Sequence, residues 1–234
     1  SYLFLIYLTE LGERIEKEQI GPVMVDTQIG MLSFADDLVM LARTEKEVTQ
    51  HLEILSNWCK DFKMSVSPTK TQMIAPDTKE LWILTTDGLD DDTLLEIKKS
   101  YNYLGINQHQ SVARTLSELS SECLRKAEQF RSLINMQRYT IIDSVNAYKI
   151  LWENVFLPSI LYALDVIPIS VSTIEKLDKI QIRVGRSILG VRSSTPSAVV
   201  NIELGFKSLL HKILKARLTY IQRLSNRPEG SILH

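Results

Sequence analysis

The chain has 234 residues, of which 44% are hydrophobic and 24% are charged, with 9 Gly and 7 Pro. This composition excludes a disordered, collagen-like or low-complexity protein. A chain of this length can form one or two globular domains with a sizeable core. The formal net charge of −1 by itself argues against a surface that binds nucleic acid strongly.

The near-zero net charge hides two halves of opposite sign. Residues 1–97 carry 8 Lys and Arg against 18 Asp and Glu, which gives a net charge of −10. Residues 98–234 carry 19 against 10, which gives a net charge of +9. Such an asymmetry is typical of an acidic site beside a surface that binds a polyanion, although solvated helix faces can produce the same counts.

Cysteine content and the apolar N-terminal stretch bear on the compartment of the protein. Cys59 and Cys123 are too few for a disulfide framework or a zinc cluster, so we expect an intracellular protein. The four histidines are scattered, and no zinc or acid–base site is predicted. The apolar residues 1–8 are too short for a membrane span, and no membrane partner is expected. The chain begins without Met inside an amphipathic segment, so we expect a fragment of a longer protein.

The first half of the chain has an α+β pattern. Apolar residues at helical spacing predict a helix over residues 2–18. Two β-type runs, 23–34 and 38–42, predict a hairpin of buried strands with Asp at its tip. A capping box at Thr44 and Glu47 predicts the start of a helix that lies on the sheet. Further short strands are predicted at residues 71–74, 81–84 and 101–106, with an acidic loop at 87–92.

The second half is predicted to be helical, because no strand pattern appears after about residue 110. A long helix is predicted over residues 141–156, bent or ended near Pro158. Ser172 and Glu175 predict the cap of the next helix, which closes at Gly190. The remaining predicted helices are 196–205 and 208–223.

The most informative motif is LSFADDLVML at residues 32–41, in which Asp36 and Asp37 stand at the tip of an otherwise apolar hairpin. Two ionised carboxylates without a basic neighbour repel each other, and a divalent cation is the usual way to offset this at a functional site. We therefore expect Mg²⁺ or Mn²⁺ there. The alternative is that Asp-Asp simply suits a turn. The Asp run at residues 90–92 has no apolar frame and is assigned to a solvated loop.

These residues resemble the reverse transcriptases of non-LTR (LINE-type) retrotransposons, whose palm domain carries an aromatic-x-Asp-Asp hairpin, here residues 34–37. FLIY at 4–7 is similar to the helix that follows the family's Gly-rich nucleotide pocket. SPTKT at 67–71 is similar to the segment whose Lys lies near the incoming triphosphate. YNYLG at 101–105 is similar to the primer-grip hairpin, and residues 186–224 resemble the helical region after the thumb.

The resemblance implies an RNA-directed DNA polymerase of the nucleus and cytoplasm that uses Mg²⁺ or Mn²⁺, an RNA template, a DNA primer and dNTPs. Asp36 would bind metal, and Asp37 would bind metal or fix the hairpin. Lys70 would neutralise or protonate the leaving pyrophosphate, unless it is an ordinary surface lysine. Nucleic-acid contacts are implied for Phe34, Ala35, Tyr103, Leu104, Gly105, Arg125 and Lys126. Alternatively, Tyr103 packs in the core and Gly105 merely makes a turn.

Pattern and resemblance together divide the chain into a partial palm at residues 1–108, a helical thumb at 109–165 and a C-terminal helical region at 166–234. The predicted class is α+β, with an antiparallel sheet and packed helices followed by helices alone. The family needs a third carboxylate on a strand that precedes its Gly-rich segment, and this chain starts after both. We therefore expect a truncated copy that is inactive by itself and that binds metal only with the third carboxylate.

The alternative function is a non-catalytic module, derived from a retroelement, that binds nucleic acid or protein. A phosphohydrolase that uses Asp36 and Asp37 is a weaker third possibility, because no nucleophile–base pair lies near. Basic residues on three successive amphipathic helices predict a surface that follows a duplex phosphate backbone, whereas one such helix would simply be solvated. They are Arg125, Lys126, Arg131, Lys176, Lys179, Arg183, Arg186, Lys207, Lys212, Lys215 and Arg217.

Overall fold

A computed structural model of the chain describes residues 2–24, 26–67, 70–75, 97–137 and 145–226. Its contacts divide the chain into two compact units, Ser1–Gln110 and Ser111–His234. The described part of the first unit contains helices and short antiparallel strands, and that of the second is helical, which confirms the α+β class. The strand predicted at 81–84, the acidic loop at 87–92 and the start of the helix predicted from 141 lie outside the described residues.

The described part of the first unit contains two helices and three β-hairpins. The helices are α1 (Tyr2–Lys17) and α2 (Glu45–Phe62). The antiparallel pairs are β1 (Val23–Met24) with β2 (Thr27–Gln28), β3 (Met31–Phe34) with β4 (Asp37–Met40), and β5 (Ser100–Tyr103) with β6 (Ile106–His109). The predicted hairpin with Asp at its tip is therefore confirmed.

Three strand predictions differ from the structure. The run predicted over 23–34 is divided into the β1–β2 hairpin and β3. The single strand predicted over 101–106 is a hairpin, because Leu104 and Gly105 take positive φ angles of 49° and 78° and reverse the chain. The segment 71–74 pairs only through an isolated parallel bridge between Met73 and Ile97. The described strands therefore form separate two-stranded ladders.

The core of the first unit lies between α1, α2 and the β3–β4 hairpin. Leu11 and Ile15 of α1 are buried against Trp58 and Cys59 of α2. The indole N–H of Trp58 also donates to the backbone oxygen of Tyr7, at 3.2 Å. One face of the hairpin packs on this cluster through the half-buried side chains of Met31, Leu38 and Met40. Helix α2 therefore lies on the hairpin, as the sequence predicts.

The cap of α2 follows the predicted capping box in part. The hydroxyl of Thr44 accepts a hydrogen bond from the backbone N–H of Glu47 at 3.3 Å. The Glu47 carboxylate does not return to Thr44 but accepts from the backbone N–H and the guanidinium of Arg43, both at 2.7 Å. The guanidinium is the main cause that lowers the pKa of Glu47. Arg43 therefore ties the chain that leaves β4 to the first turn of α2.

The base of the β3–β4 hairpin is clamped between the two helices. The backbone oxygen of Gly30, just before β3, accepts from the N–H of Leu41 at 2.9 Å. The buried His51 of α2 lies 3.0 Å from the backbone oxygen of Leu41 through its Nε2. Burial lowers the pKa of His51, so the ring is neutral and its N–H donates. A Cβ at Gly30 would overlap the side chain of Ile15 and lie 2.7 Å from the oxygen of Ile20.

The described helices of the second unit share one apolar core. They are α3 (Val112–Gln137), α4 (Val145–Leu151), α5 (Leu157–Ile160), α6 (Val171–Leu189), α7 (Ser197–Leu204) and α8 (Leu209–Ser225). Residues before and after position 165, the predicted boundary between the thumb and the C-terminal region, pack in the same core. The division into these two regions therefore stays a prediction. Cys123 is buried in this core and donates to the oxygen of Ile160 at 3.1 Å. Burial raises its pKa to about 11, so the thiol is protonated at neutral pH.

The bend predicted near Pro158 is a π-helical turn, Trp152–Phe156, between α4 and α5. Proline has no N–H to donate, and its ring clashes with the carbonyl four residues before it. The wider π turn accommodates such a residue without ending the helix. The long helix predicted from sequence therefore continues through Pro158 to Ile160.

The sequence places the cap of α6 at Ser172, and this prediction is wrong. The cap is Ser170, whose hydroxyl accepts from the backbone N–H of Thr173 at 3.2 Å. Ser170 takes the extended conformation that an N-cap needs, with ψ 147°. Helices α6 and α7 close at Gly190 and Gly205 as predicted. Within the described ranges, the structure contains no helix that is long and apolar enough to cross a membrane.

Gly30→Ala is expected to destabilise the first unit by about 1–3 kcal/mol, the usual cost of overpacking a closely packed site. The added methyl group would overlap Ile15 and press on the backbone of Ile20. Hydrogen exchange of the α1 and α2 amides measures the loss in this unit alone.

Gly12→Ala in α1 is the matched control. Its Cβ would lie 3.5 Å from Cε of Met31, an ordinary contact. Alanine is also the better helix former by roughly 1 kcal/mol, so the control should be neutral or stabilising. Unchanged exchange rates in Gly30→Ala would contradict the clamp.

Candidate metal and nucleic-acid site

The two carboxylates of the FADD motif lie at the tip of the β3–β4 hairpin. Phe34 pairs with Asp37, so Ala35 and Asp36 form a two-residue turn. Ala35 takes a φ of 53°, a left-handed conformation that costs a residue with a Cβ roughly 1–2 kcal/mol. Such local strain is concentrated at functional sites. The turn presents the two carboxylates side by side at the end of the hairpin.

The tip is exposed, and the prediction that buried strands frame it on both sides is wrong. Phe34 is 63% exposed and Leu32 is 40% exposed, and both carboxylates are exposed. In the described part of the chain β3 and β4 pair only with each other, and the core covers the opposite face. Because directly paired residues share a face, Asp37 stands on the exposed face beside Phe34.

The hairpin has the donor chemistry of a magnesium or manganese site. The ion pairs of the described residues involve neither Asp36 nor Asp37, so these carboxylate oxygens are available to a hard cation. No group of three His, Cys, Asp or Glu side chains that could hold a metal occurs in the described ranges. The donor type therefore fits Mg²⁺ or Mn²⁺, and the hairpin supplies two carboxylates of such a site.

Tyr103, from the hairpin predicted to be a primer grip, lies within electrostatic reach of Asp37. Burial is the main cause that raises the pKa of Tyr103, and the negative charge of Asp37 raises it further. Tyr103 pairs with Ile106 at the end of the β5–β6 hairpin. The turn is supported by the N–H of Gly105, which donates to Oδ1 of Asn102 at 3.1 Å. The ends of the two hairpins, which are far apart in sequence, therefore lie within the range of a charge interaction.

Lys70, Arg125 and Lys126, which the sequence also predicts as site residues, lie on other elements. Lys70 is exposed in a turn after α2, where its N–H donates to the oxygen of Ser67 at 3.2 Å. The contacts described for Lys70 do not include the hairpin carboxylates. Arg125 and Lys126 lie on α3 of the second unit. The roles of these residues, like those of Phe34, Ala35, Leu104 and Gly105, stay predictions.

In the second unit, fewer of the predicted basic side chains are available to bind phosphate than the sequence suggests. Six of its side chains have partners inside the unit: Arg125, Lys126, Arg131, Arg183, Arg186 and Arg217. Four are exposed and have no partner in the described part of the unit: Lys176, Lys179, Lys207 and Lys215. Lys212 is half-buried, and burial lowers its pKa. The exposed ion pairs are weak enough to exchange for phosphate.

Gly30 and His51, which fix the base of the hairpin, were not singled out by the sequence analysis. A glycine directly before an apolar strand is a signal of close backbone approach. His51 carries no such signal, because its partner is a backbone oxygen and any residue could supply one. Position-specific packing of this kind becomes visible only in the fold.

Comparison with known proteins finds one match, in the first unit. Residues 1–108 match the family model described as reverse transcriptase (RNA-dependent DNA polymerase). The matched residues include both the β3–β4 and the β5–β6 hairpin and make up less than half of the chain. No curated protein and no solved structure matches the chain. The resemblance found in the sequence is thereby confirmed for residues 1–108 at the level of a reverse transcriptase domain.

Asp37→Asn is expected to lower the pKa of Tyr103, because it removes a negative charge that disfavours the phenolate. The pKa should stay above its ordinary value of 10.0, since burial is the larger cause. A ¹³C NMR titration of the tyrosine Cζ atoms through the alkaline range measures the shift.

Asp36→Asn is the matched control, because Asp36 is not among the charges that act on Tyr103. Its tyrosine titration should equal that of the unmodified chain. If Asp37→Asn also leaves the titration unchanged, the two hairpins are not neighbours.

Proposed function

We propose that this chain is part of the reverse transcriptase of a non-LTR (LINE-type) retrotransposon, an RNA-directed DNA polymerase. One observation carries the proposal: the Asp36-Asp37 pair stands exposed at a hairpin tip inside the region that matches the reverse transcriptase model. The proposed partners are an RNA template, a DNA primer and dNTPs, and the proposed compartments are the nucleus and cytoplasm. The order of the motifs at 4–7, 34–37, 67–71 and 101–105 supports the non-LTR assignment.

The chemistry gives each hairpin carboxylate a role. In nucleotidyl transfer, two metal ions stabilise the attacking 3′-oxygen and the leaving pyrophosphate oxygen. Asp36, in the turn itself, is proposed as a metal ligand. Asp37 is proposed to bind metal or to fix the hairpin, and its position in the ladder opposite Phe34 is compatible with both roles. Tyr103, beside Asp37, is proposed to contact the primer strand.

We further propose that the chain by itself does not polymerise. Two ions held about 3.5–4 Å apart need ligands from more than one segment, and Mg²⁺ demands near-octahedral oxygen coordination. Asp36 in the turn and Asp37 at the start of β4 are adjacent in one hairpin and supply one side of such a site. A third carboxylate, on a separate strand, would complete it.

A complete site with two ions is expected only with the third carboxylate, but the two hairpin carboxylates alone should bind Mn²⁺ weakly. Asp36→Asn should bind it more weakly still, because a carboxylate ligand has been removed. Titration calorimetry measures both. Asp26→Asn is the matched control: Asp26 is an exposed carboxylate in the β1–β2 turn with φ 64°, a conformation that Asn tolerates. Equal loss of binding in both variants would show that the Asp hairpin is not the site.

Primer extension by the chain alone, with an RNA template, a DNA primer, Mg²⁺ and dNTPs, is expected to give no product. The reason is the incomplete set of ligands around the two ions. A product would also exclude the alternative of a non-catalytic module, whereas the absence of product is expected of both. A product that requires Asp36 would overturn the proposal of inactivity and would establish the chain as a polymerase.

A further inference from the structure

The side chain of His51 is enclosed at the base of the β3–β4 hairpin. Only 2% of the residue is exposed. Its Nε2 lies 3.0 Å from the backbone oxygen of Leu41. Because a carbonyl oxygen only accepts, Nε2 carries the proton of the neutral ring, and Nδ1 is left with a lone pair. Nδ1 is buried and has no hydrogen-bond partner among the described residues. The ring therefore has one nitrogen engaged and one buried nitrogen unused.

The ring meets two other elements at this point. A Cβ at Gly30, just before β3, would lie 3.4 Å from Cε1 of His51 and would overlap Cγ2 of Ile15 on α1. Cε1 is the ring carbon between the two nitrogens. The neighbours here are the backbone of a glycine and an aliphatic side chain, and neither carries a charge that would balance a protonated ring.

Among the described residues, the charge that acts on His51 is that of Glu47, one turn before it on α2. This charge favours a protonated ring, but burial has the larger and opposite effect, so the pKa of His51 is lowered. The Glu47 carboxylate is itself bound to the backbone N–H and the guanidinium of Arg43. A second proton on the ring would therefore add a buried charge that no hydrogen bond balances.

Protonation of Nδ1 would weaken the contact between α2 and the hairpin. A buried N–H that carries part of a positive charge and has no acceptor is costly. The cost is relieved when the ring leaves its place for water, and the hydrogen bond to Leu41 is then lost. Because the N–H of Leu41 donates to the oxygen of Gly30 at 2.9 Å, the departure of the ring loosens the end of β4 and the start of β3 together.

We propose that His51 is a pH-sensitive switch: protonation of its Nδ1 breaks the hydrogen bond to Leu41 and opens the base of the β3–β4 hairpin, and deprotonation closes it again. The step takes up one proton from water and breaks one hydrogen bond inside the unit. Its consequence for Asp36 and Asp37, whose position depends on that base, rests on the proposed function. The opening and closing of the base do not.

The switch works in the pH range just below 6.5, the ordinary pKa of histidine. In the open form, water surrounds the ring and the proton is taken up near this pH, whereas the closed form takes it up only at a lower pH. The stability that His51 supplies is therefore complete above 6.5 and is lost as the pH falls from there to the lowered pKa. One proton changes the opening equilibrium by up to about tenfold per pH unit. Glu47, whose pKa is lowered, keeps its charge in this range.

The test is hydrogen exchange of the backbone amides of the full chain from about pH 7.5 to about pH 5, corrected for the intrinsic exchange rate at each pH. Below 6.5, the protection of the β3 and β4 amides is expected to fall by up to about tenfold per pH unit. The α6 amides are the internal control, because they belong to the other unit, whose described histidine, His211, is exposed. Unchanged protection of the hairpin, or an equal loss in both units, would overturn the proposal.

His51→Gln and His109→Gln form a matched pair, because both histidines belong to the first unit and His51 is the one bonded to Leu41. The side-chain amide of glutamine can still donate to that oxygen but does not titrate in this range. In His51→Gln the protection of the hairpin amides should therefore change by less than about twofold below 6.5. In His109→Gln the full pH dependence should remain. Equal pH dependence in the two variants would contradict the assignment to His51.

An NMR titration of the Cε1–H signal of His51 in the unmodified chain tests the switch without a variant. Its midpoint should lie below 6.5, and the amide signals of Gly30 and Leu41 should change with the same midpoint. A midpoint at or above 6.5, or different midpoints for the ring and the amides, would contradict the switch. None of these measurements uses a metal or a nucleic acid, so the switch and the proposed function can fail separately.

Discussion

The hydrogen bond from His51 to the backbone oxygen of Leu41 is the contact on which the arrangement of the first unit depends. It fixes the end of β4 to α2, while the absence of a side chain at Gly30 lets β3 begin directly against α1. The tip of the hairpin is exposed, and its turn is strained at Ala35. The contacts at the base of the hairpin therefore determine the position of the tip. The lowered pKa of His51 keeps the ring neutral and donating at neutral pH.

The fixed base of the β3–β4 hairpin determines where the carboxylates at its tip lie. With the hairpin held, Asp36 and Asp37 are exposed and form no ion pair with the described residues, and the charge of Asp37 acts on Tyr103 of the second hairpin. The near-zero net charge of the whole chain therefore conceals an acidic tip in a negative half. In the positive half, six of the eleven basic side chains predicted to bind phosphate have partners among the described residues of the unit. In each half of the chain, the charge that a ligand can reach is therefore smaller than the net charge counted from the sequence, and it is carried by fewer residues.

The features that the sequence predicts correctly are those with local causes. The cap at Thr44 and the helix ends at Gly190 and Gly205 depend on neighbouring residues alone. The exposure of Phe34 could not be predicted, because it depends on which face of the hairpin the core covers. Ser172, with Glu175 three residues later, is the stronger sequence signal for the cap of α6, and only the backbone conformation shows that Ser170 is the cap. The hydrogen bond from Arg186 to Thr195 and the close packing of α6 and α7 at Gly185 join residues of different elements, which no local pattern encodes.

The most direct test of the account is paramagnetic broadening of the backbone amide NMR signals by Mn²⁺. An ion held by the Asp hairpin should broaden the amides of residues 34–37 most strongly. It should broaden those of residues 103–105 next, because Tyr103 lies near Asp37. Both effects should be lost in Asp36→Asn. Broadening that is spread over other acidic segments, or that spares residues 103–105, would contradict the claim that the Asp hairpin holds the ion with Tyr103 near it.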